Sequence, residues 1–272
     1  MPVFIVTGTD TGVGKTTVAC GIARALRRLG ADVGVFKPFS TGGRDDARAL
    51  KEAADVADAL DEINPCHLSA PAAPLRAAEL DHTTIDLAAC LDAFDVLRHR
   101  HDVLLVEGVG GLLVPLREEH GAISSFRDFC ADLAGDLLIV ARRTLGTLNH
   151  SWLTIEACRA AGLAVRGVVF NDAVAVAGGE PESSAPALLA RCAQVRVLAC
   201  IPFGAQAEAF TALAATLVND PLPQPRPRPQ PPSQYRNSTS RTARISLRAM
   251  RLPHLTSPSG VSAAASGRRC VW

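Results

Sequence analysis

The sequence predicts an α/β domain: a mostly parallel sheet with helices on both faces, followed by a disordered tail. Three observations lead there. Short apolar, β-branched runs alternate with helix-spaced segments through residue 218. A glycine-rich loop stands between the first such run and the first helix. At residue 219 the composition changes to Pro, Arg and Ser. The expected division is therefore a domain over 1–218 and a tail over 219–272.

Residues 3–7 read as a buried strand and 17–29 as a helix stopped by Gly30. Residues 32–37 read as a second strand ending at Lys37, with Pro38 breaking it and 39–43 forming a loop. A helix is expected over 44–60, opened by Asp45 and Asp46, which also suit the helix dipole. Three prolines mark 64–78 as a loop, and 84–98 reads as a helix whose end, 98–101, is expected to be a solvated basic cluster. Residues 102–107 form a third strand running into Gly108-Val109-Gly110-Gly111. A fourth strand spans 137–141. A loop at 144–147 follows, and Asn149 is a candidate cap for a helix over 152–161. His150 beside it reads first as a capping or packing residue. Strands over 165–170 and 195–201, a loop at 178–184, a helix to 194 and a last helix to about 218 complete the pattern.

The loop Gly8-Thr9-Asp10-Thr11-Gly12-Val13-Gly14-Lys15-Thr16-Thr17 sits where a phosphate-binding loop has to sit. Glycines let the backbone wrap an anion, and unpaired N–H groups at the helix start point at it. Lys15 is placed to bridge terminal phosphates, and the Thr16 hydroxyl to ligate Mg²⁺. The usual spacing would put the first glycine at position 9; here it is Gly8, one residue earlier. The chain has only three lysines, at 15, 37 and 51. In an open parallel sheet, ligands bind at the carboxyl ends of strands, which puts Lys37 on the same edge as the loop. Glu107 ends an apolar strand on that edge, where an acidic Mg²⁺ ligand belongs in a phosphate-loop enzyme.

Net charge is +1 overall. Residues 219–272 hold nine Arg and one acidic residue, Asp220, a net +8, which leaves −7 for residues 1–218. No basic face suggests nucleic acid. Eight cysteines without Cys-x-x-Cys or zinc spacing suit a reducing, cytoplasmic setting. No leader is expected ahead of the first strand, and no apolar run is long enough to cross a membrane. Seven prolines within 221–232 predict a stiff polyproline-type stretch, and disorder is expected from there on.

Taken together, these residues resemble the dethiobiotin synthetase family of P-loop NTPase-like enzymes. The resemblance rests on residues 7–16, on Lys37-Pro38 with Thr41-Gly42, and on 106–116. It continues through Leu145-Gly146-Thr147-Leu148-Asn149-His150, Asn171-Asp172 and Ile201-Pro202, in the family's order, over roughly 2–218. It implies an ATP-dependent ligase of biotin synthesis that closes the ureido ring of dethiobiotin from 7,8-diaminopelargonate and CO₂. By the same resemblance, Lys15, Lys37 and Thr11 are catalytic, and Thr16, Asp46 and Glu107 hold Mg²⁺. Residues 12–17, Gly108, Val109, Gly110, Asn171 and Pro202-Phe203-Gly204 hold the nucleotide. Thr41 and Lys37 meet the substrate, while Leu148, Asn149 and His150 hold its carboxylate across a homodimer interface. Two rivals stand beside it. Amide-forming synthetases acting on corrinoid carboxylates carry a glutaminase domain, and a tail stands here instead. Partition or septum-placement ATPases place a lysine early in the loop, and none precedes Gly14. No role is assigned to Arg142-Arg143.

Overall fold

The computed structural model describes residues 1–175 and 178–219. Six strands form one parallel sheet: β1 (Val3–Gly8), β2 (Val33–Phe36), β5 (Val103–Glu107), β8 (Asp136–Ala141), β9 (Val165–Asn171) and β10 (Val197–Ile201). Their order is β10-β9-β8-β1-β5-β2. The strands read as unbroken apolar runs because both faces are covered. Within each run, alternate residues go to opposite cores. Phe4 and Val6, Leu105, Leu138 and Val140 face one cluster with helices α1 (Lys15–Arg28), α2 (Asp45–Ala54) and α9 (Glu208–Asn219). Ile5, Leu104, Val106, Leu137 and Ile139 face the other, with α5 (Leu87–Arg100), α6 (Phe126–Leu133) and α7 (Thr147–Ala160). Helix α8 (Glu180–Cys192) packs beside α7.

The expected parallel sheet is present, and several local expectations need correction. Residues 39–43 are not all loop: β3 (Phe39–Thr41) pairs in parallel with β4 (Cys66–Leu68), inside the stretch expected to be loop. Tertiary bonds create this pair, since Lys37 N–H donates to Ile63 O at 2.7 Å and the Asn64 amide to Lys37 O at 2.7 Å. That stretch also contains the start of α4 (Pro74–Leu80), with Pro74 at its first turn. The helix expected over 44–60 breaks after Ala54, where Asp55 turns left-handed (φ 52°), and resumes as α3 (Leu60–Ile63). Asn149 is no cap. Gly146, at φ 93°, starts α7, and Asn149 lies inside the helix. Residues 180–184, expected to be loop, belong to α8.

The basic cluster at 98–101 is not simply solvated. His101 bridges Asp32 and Asp58 at 3.0 Å each, and Arg100 pairs with Asp58 and Glu62. A hairpin of β6 (Pro115–Glu119) and β7 (Ala122–Ser125) was not foreseen. The tail expected from 219 onward lies outside the described residues, apart from Asn219, which ends α9. No described helix is long and apolar enough to cross a membrane.

Candidate active site

Parallel pairing puts the carboxyl ends of β1, β5 and β2 on one edge, and register does the rest. Val6 pairs with Glu107 and Phe36 with Val106, so Lys37, one residue past Phe36, arrives beside Glu107. The loop after β1 then wraps into α1. Gly14 takes φ 89° at the helix start with no side-chain cap, leaving the first-turn N–H groups without helical partners. A Cβ on Gly14 would sit 2.1 Å from Asn171 Nδ2. The early glycine also has a packing cause: a Cβ on Gly8 would sit 2.9 Å from Val13 Cγ2 and 3.0 Å from Asp10 O.

Two buried lysines share this edge. Among the described residues, Lys15 Nζ donates only to a backbone carbonyl, Asp10 O, at 3.1 Å. Burial, with repulsion from Lys37 added, pushes the Lys15 ammonium down to about 8. Lys37 Nζ donates to Glu107 Oε1 at 2.6 Å, Asp46 Oδ2 at 3.0 Å and Gly108 O at 3.1 Å. Desolvation alone would lower its pKa, but Glu107 and Asp46 outweigh it and hold the ammonium above its ordinary value. Asp46 is likewise desolvated, yet the Lys37 ammonium beside it keeps its carboxyl below the usual range. Thr16 Oγ1 donates its one proton to Glu107 Oε1 at 2.8 Å. Glu107 is 1% exposed, and its Oε2 has no hydrogen-bond partner. An unmatched buried carboxylate oxygen beside a threonine hydroxyl and a second carboxylate is a donor set suited to a small hard cation.

These groups line a cleft of about 700 Å³. Of the residues singled out in the sequence, the cleft gathers Thr11, Gly12, Gly14, Lys15, Thr16 and Thr17 from the loop. Lys37, Thr41, Asp46, Glu107, Val109 and Gly110 join them from the other strand ends. Val13 is buried in the core, and Gly108 contributes its carbonyl to Lys37. Asn171 lies beneath the loop, 2% exposed, with Nδ2 donating to Val13 O at 3.0 Å. Pro202, Phe203 and Gly204 follow β10 as an exposed turn outside this lining. Leu148, Asn149 and His150 are not brought to the cleft within one chain. His150 lines a separate groove with Leu113, Val114 and Leu153.

Several contacts near the cleft escaped the sequence reading. Arg142 reaches Asp10 Oδ2 at 2.7 Å, while Asp10 Oδ1 accepts the Thr11 N–H at 2.7 Å. Arg143 grips buried Asp172 with two nitrogens, one at 3.0 Å, tying the end of β8 to the end of β9. Ser40 joins the cleft lining from β3. The Arg-Arg pair was visible but had no local signal of its partners, which lie 132 and 29 residues away.

A strand–loop–helix with Lys15 and Thr16 at the helix start, on the carboxyl edge of a parallel sheet, defines a P-loop nucleotide-binding α/β protein. Residues 3–210 match a family model described as AAA domain. The fold is similar to the cell-division protein MinD of Aquifex aeolicus, with a TM-score of 0.53 at 18% identity over 82% of this chain and 99% of that one. It is also similar to the septum site-determining MinD of Pyrococcus horikoshii complexed with Mg-ADP (TM-score 0.52, 17% identity, 80% and 96% covered). At those identities the likeness is one of fold.

Sequence comparison narrows the class. The chain is 44% identical to the ATP-dependent dethiobiotin synthetase BioD of Anaeromyxobacter dehalogenans, over 74% of this chain and 89% of the relative. It is 37% identical to that of Bacillus velezensis (73% and 85%) and 36% to that of Thermodesulfovibrio yellowstonii (74% and 88%). The chain belongs to the ATP-dependent dethiobiotin synthetase family.

Proposed function

We propose that this chain closes the ureido ring of dethiobiotin from 7,8-diaminopelargonate and CO₂ as an ATP-dependent ligase, with the cleft between the three strand ends as its active site. The observation that carries this reading is the pairing of two differently held buried lysines in one cleft. Lys15 is charged without a carboxylate partner, while Lys37 is held by Glu107 and Asp46.

The chemistry needs both. One substrate amine donates its electron pair to CO₂: an N–C bond forms, a C=O π pair moves to oxygen, and the nitrogen sheds a proton to water to give the carbamate. A carbamate oxygen then attacks the γ-phosphorus of ATP, and the bond to the ADP oxygen breaks. The second amine attacks the carbonyl carbon of this mixed anhydride, and the C–O bond to phosphate breaks as the ring closes. Negative charge gathers from phosphates and carbamate in one place, so preorganised cations and N–H donors are what the site has to supply. Lys15 and the first-turn N–H groups bind the β- and γ-phosphates. Lys37 binds the carbamate and stabilises the transferring group, and Thr11 donates to carbamate or phosphate oxygens. Thr41 meets the diamine. Thr16, Asp46 and Glu107 would hold Mg²⁺, and the orphaned Glu107 Oε2 supports that assignment. When bound, Mg²⁺ neutralises phosphate charge.

Asn171 and residues 202–204 frame the adenine, and Asn171 also braces Gly14 from below. Leu148, Asn149 and His150 hold the substrate carboxylate in a second copy's site, in a homodimer formed by domain 1–218, and no catalytic part is assigned to residues 219–272. The test is phosphate release with Mg-ATP and bicarbonate, with and without the diamine, followed by mass detection of dethiobiotin. Diamine-dependent release with the product mass is expected; diamine-independent hydrolysis would favour an ATPase switch.

A further inference from the structure

The diamine raises a proton problem that the residues named so far do not solve. Alkyl amines, like the lysine side chain, are protonated near neutral pH, and an ammonium has no electron pair to give to CO₂. A group in the cleft has to take that proton. Glu107 and Asp46 pair with Lys37, and their remaining oxygens, Glu107 Oε2 among them, are the ones assigned to Mg²⁺. Lys37 Nζ already points its protons at Glu107, Asp46 and the Gly108 carbonyl, and Lys15 is assigned to the phosphates.

One further set of polar groups reaches the cleft. Register pairs Ser40 of β3 with His67 of β4. Ser40 is 4% exposed and lines the cleft three residues from Lys37. Its hydroxyl has two acceptors in reach: Asn64 Oδ1 at 2.8 Å and His67 Nδ1 at 3.1 Å. The orientation of Asn64 is fixed, because its Nδ2 donates to the Lys37 and Cys66 carbonyls. When the hydroxyl turns away from Asn64, Oδ1 keeps the Arg44 Nε–H at 3.0 Å, so the turn strands no buried acceptor. His67 is itself exposed, and water can therefore take a proton from its ring.

We propose that Ser40 and His67 form a proton relay that frees the substrate amine for attack on CO₂. This rests on the ring-closing reading above. The step balances: the ammonium gives a proton to Ser40 Oγ, the Ser40 hydroxyl proton passes to His67 Nδ1, and the N–H electron pair stays on the amine. The imidazolium then releases its Nε2 proton to solvent, and proton exchange of the exposed ring with water returns it to the Nε2–H tautomer for the next turnover. Ser40 is the catalytic residue in this step, since it meets the substrate; His67 acts through it.

The test uses the full chain with Mg-ATP, bicarbonate and the diamine, reading dethiobiotin by mass and ATP binding by titration. His67→Gln keeps a polar side chain but cannot carry the proton onward. It is expected to lower kcat/KM for the diamine about 100-fold, the lower end of what a general base contributes, with ATP binding unchanged. His67→Ala is expected to lose as much and to regain turnover with added imidazole. Ser40→Ala should match the loss, and the double variant should add nothing, as for members of one relay. Wild-type turnover in His67→Gln and His67→Ala, or a His67→Ala loss that imidazole does not restore, would overturn the relay. A wild-type protein that makes no dethiobiotin would reject the ring-closing reading instead.

Discussion

The loop after β1 and the segment after β2 each bring one buried lysine to the same cleft, and their surroundings treat the two charges in opposite ways. Lys15 has only the Asp10 carbonyl, and burial drives its pKa down to about 8. Lys37, 2% exposed, is deeper, yet two carboxylates and a carbonyl surround it and its charge is held. The difference teaches that burial alone does not set the state of a lysine; partners do. It also separates roles. A buried cation held by a carbonyl alone among the described residues gains most when an anion arrives, which suits the nucleotide phosphates. A fully compensated one is fixed in position, which suits a group that has to meet a reacting atom accurately.

Lys37→Ala breaks the comparison most severely. It leaves Glu107 buried without its cation, at a cost of about 3–5 kcal/mol in stability. Turnover is expected to fall by about 10³-fold while ATP affinity changes far less. Steady-state kinetics beside an ATP titration checks this, and equal losses in both would contradict the separation of roles.

Lys15→Met should do the reverse to stability. Lowering a lysine from 10.5 to about 8 costs the folded state about 3 kcal/mol while both forms are protonated. Below pH 8 the variant should therefore be the more stable protein, though it binds ATP poorly. Between pH 8 and 10.5 the unfolded chain holds a proton on Lys15 that the folded one has shed, so the wild type gains on the variant as pH rises. Urea unfolding of both proteins at pH 7 and pH 10 reads that narrowing. The difference between them is the useful quantity, because thiols such as Cys20, pushed up to about 12 by burial, work in the opposite sense in each.

Arg143→Ala sharpens the comparison by loosening the support of the Lys15 loop. It strands buried Asp172, next to the Asn171 that braces Val13, at about 1–3 kcal/mol. The ATP dissociation constant should rise, and Arg143→Lys should recover only part of both effects because it cannot make the two-pronged contact. Asp46→Asn is the mildest change. Its side chain is 51% exposed, so stability should barely move, while the Mg²⁺ concentration for half-maximal turnover increases.

What was legible in the sequence follows from what is local. The six strands of the main sheet announced themselves because each is a short apolar run, with Lys37 and Glu107 at strand ends and Lys15 at the start of the first helix, where chemistry was to be expected. The pair β3 and β4 was hidden because three residues carry no period, and Asn64 and Ile63 hold it from outside. The hairpin of β6 and β7 did leave a sign, His120-Gly121, whose two positive φ values of 52° and 78° make the tight turn. So did α6, where Ser125 and Asp128 form a capping box. The brace from Asn171 to Val13 joins positions 158 apart and had no local signal at all. Most residues lining the cleft were therefore readable, whereas the contacts that set their charge were not.

Transfer of a phosphoryl group to a carbamate leaves an isotopic mark. ¹⁸O-labelled CO₂ is supplied with Mg-ATP and the diamine, and the phosphate released is weighed. One labelled oxygen is expected in the phosphate for each dethiobiotin formed, because a carbamate oxygen attacks the γ-phosphorus and leaves with it. Unlabelled phosphate alongside dethiobiotin would rule out a carbamate acceptor, since the phosphoryl group would then have gone to water.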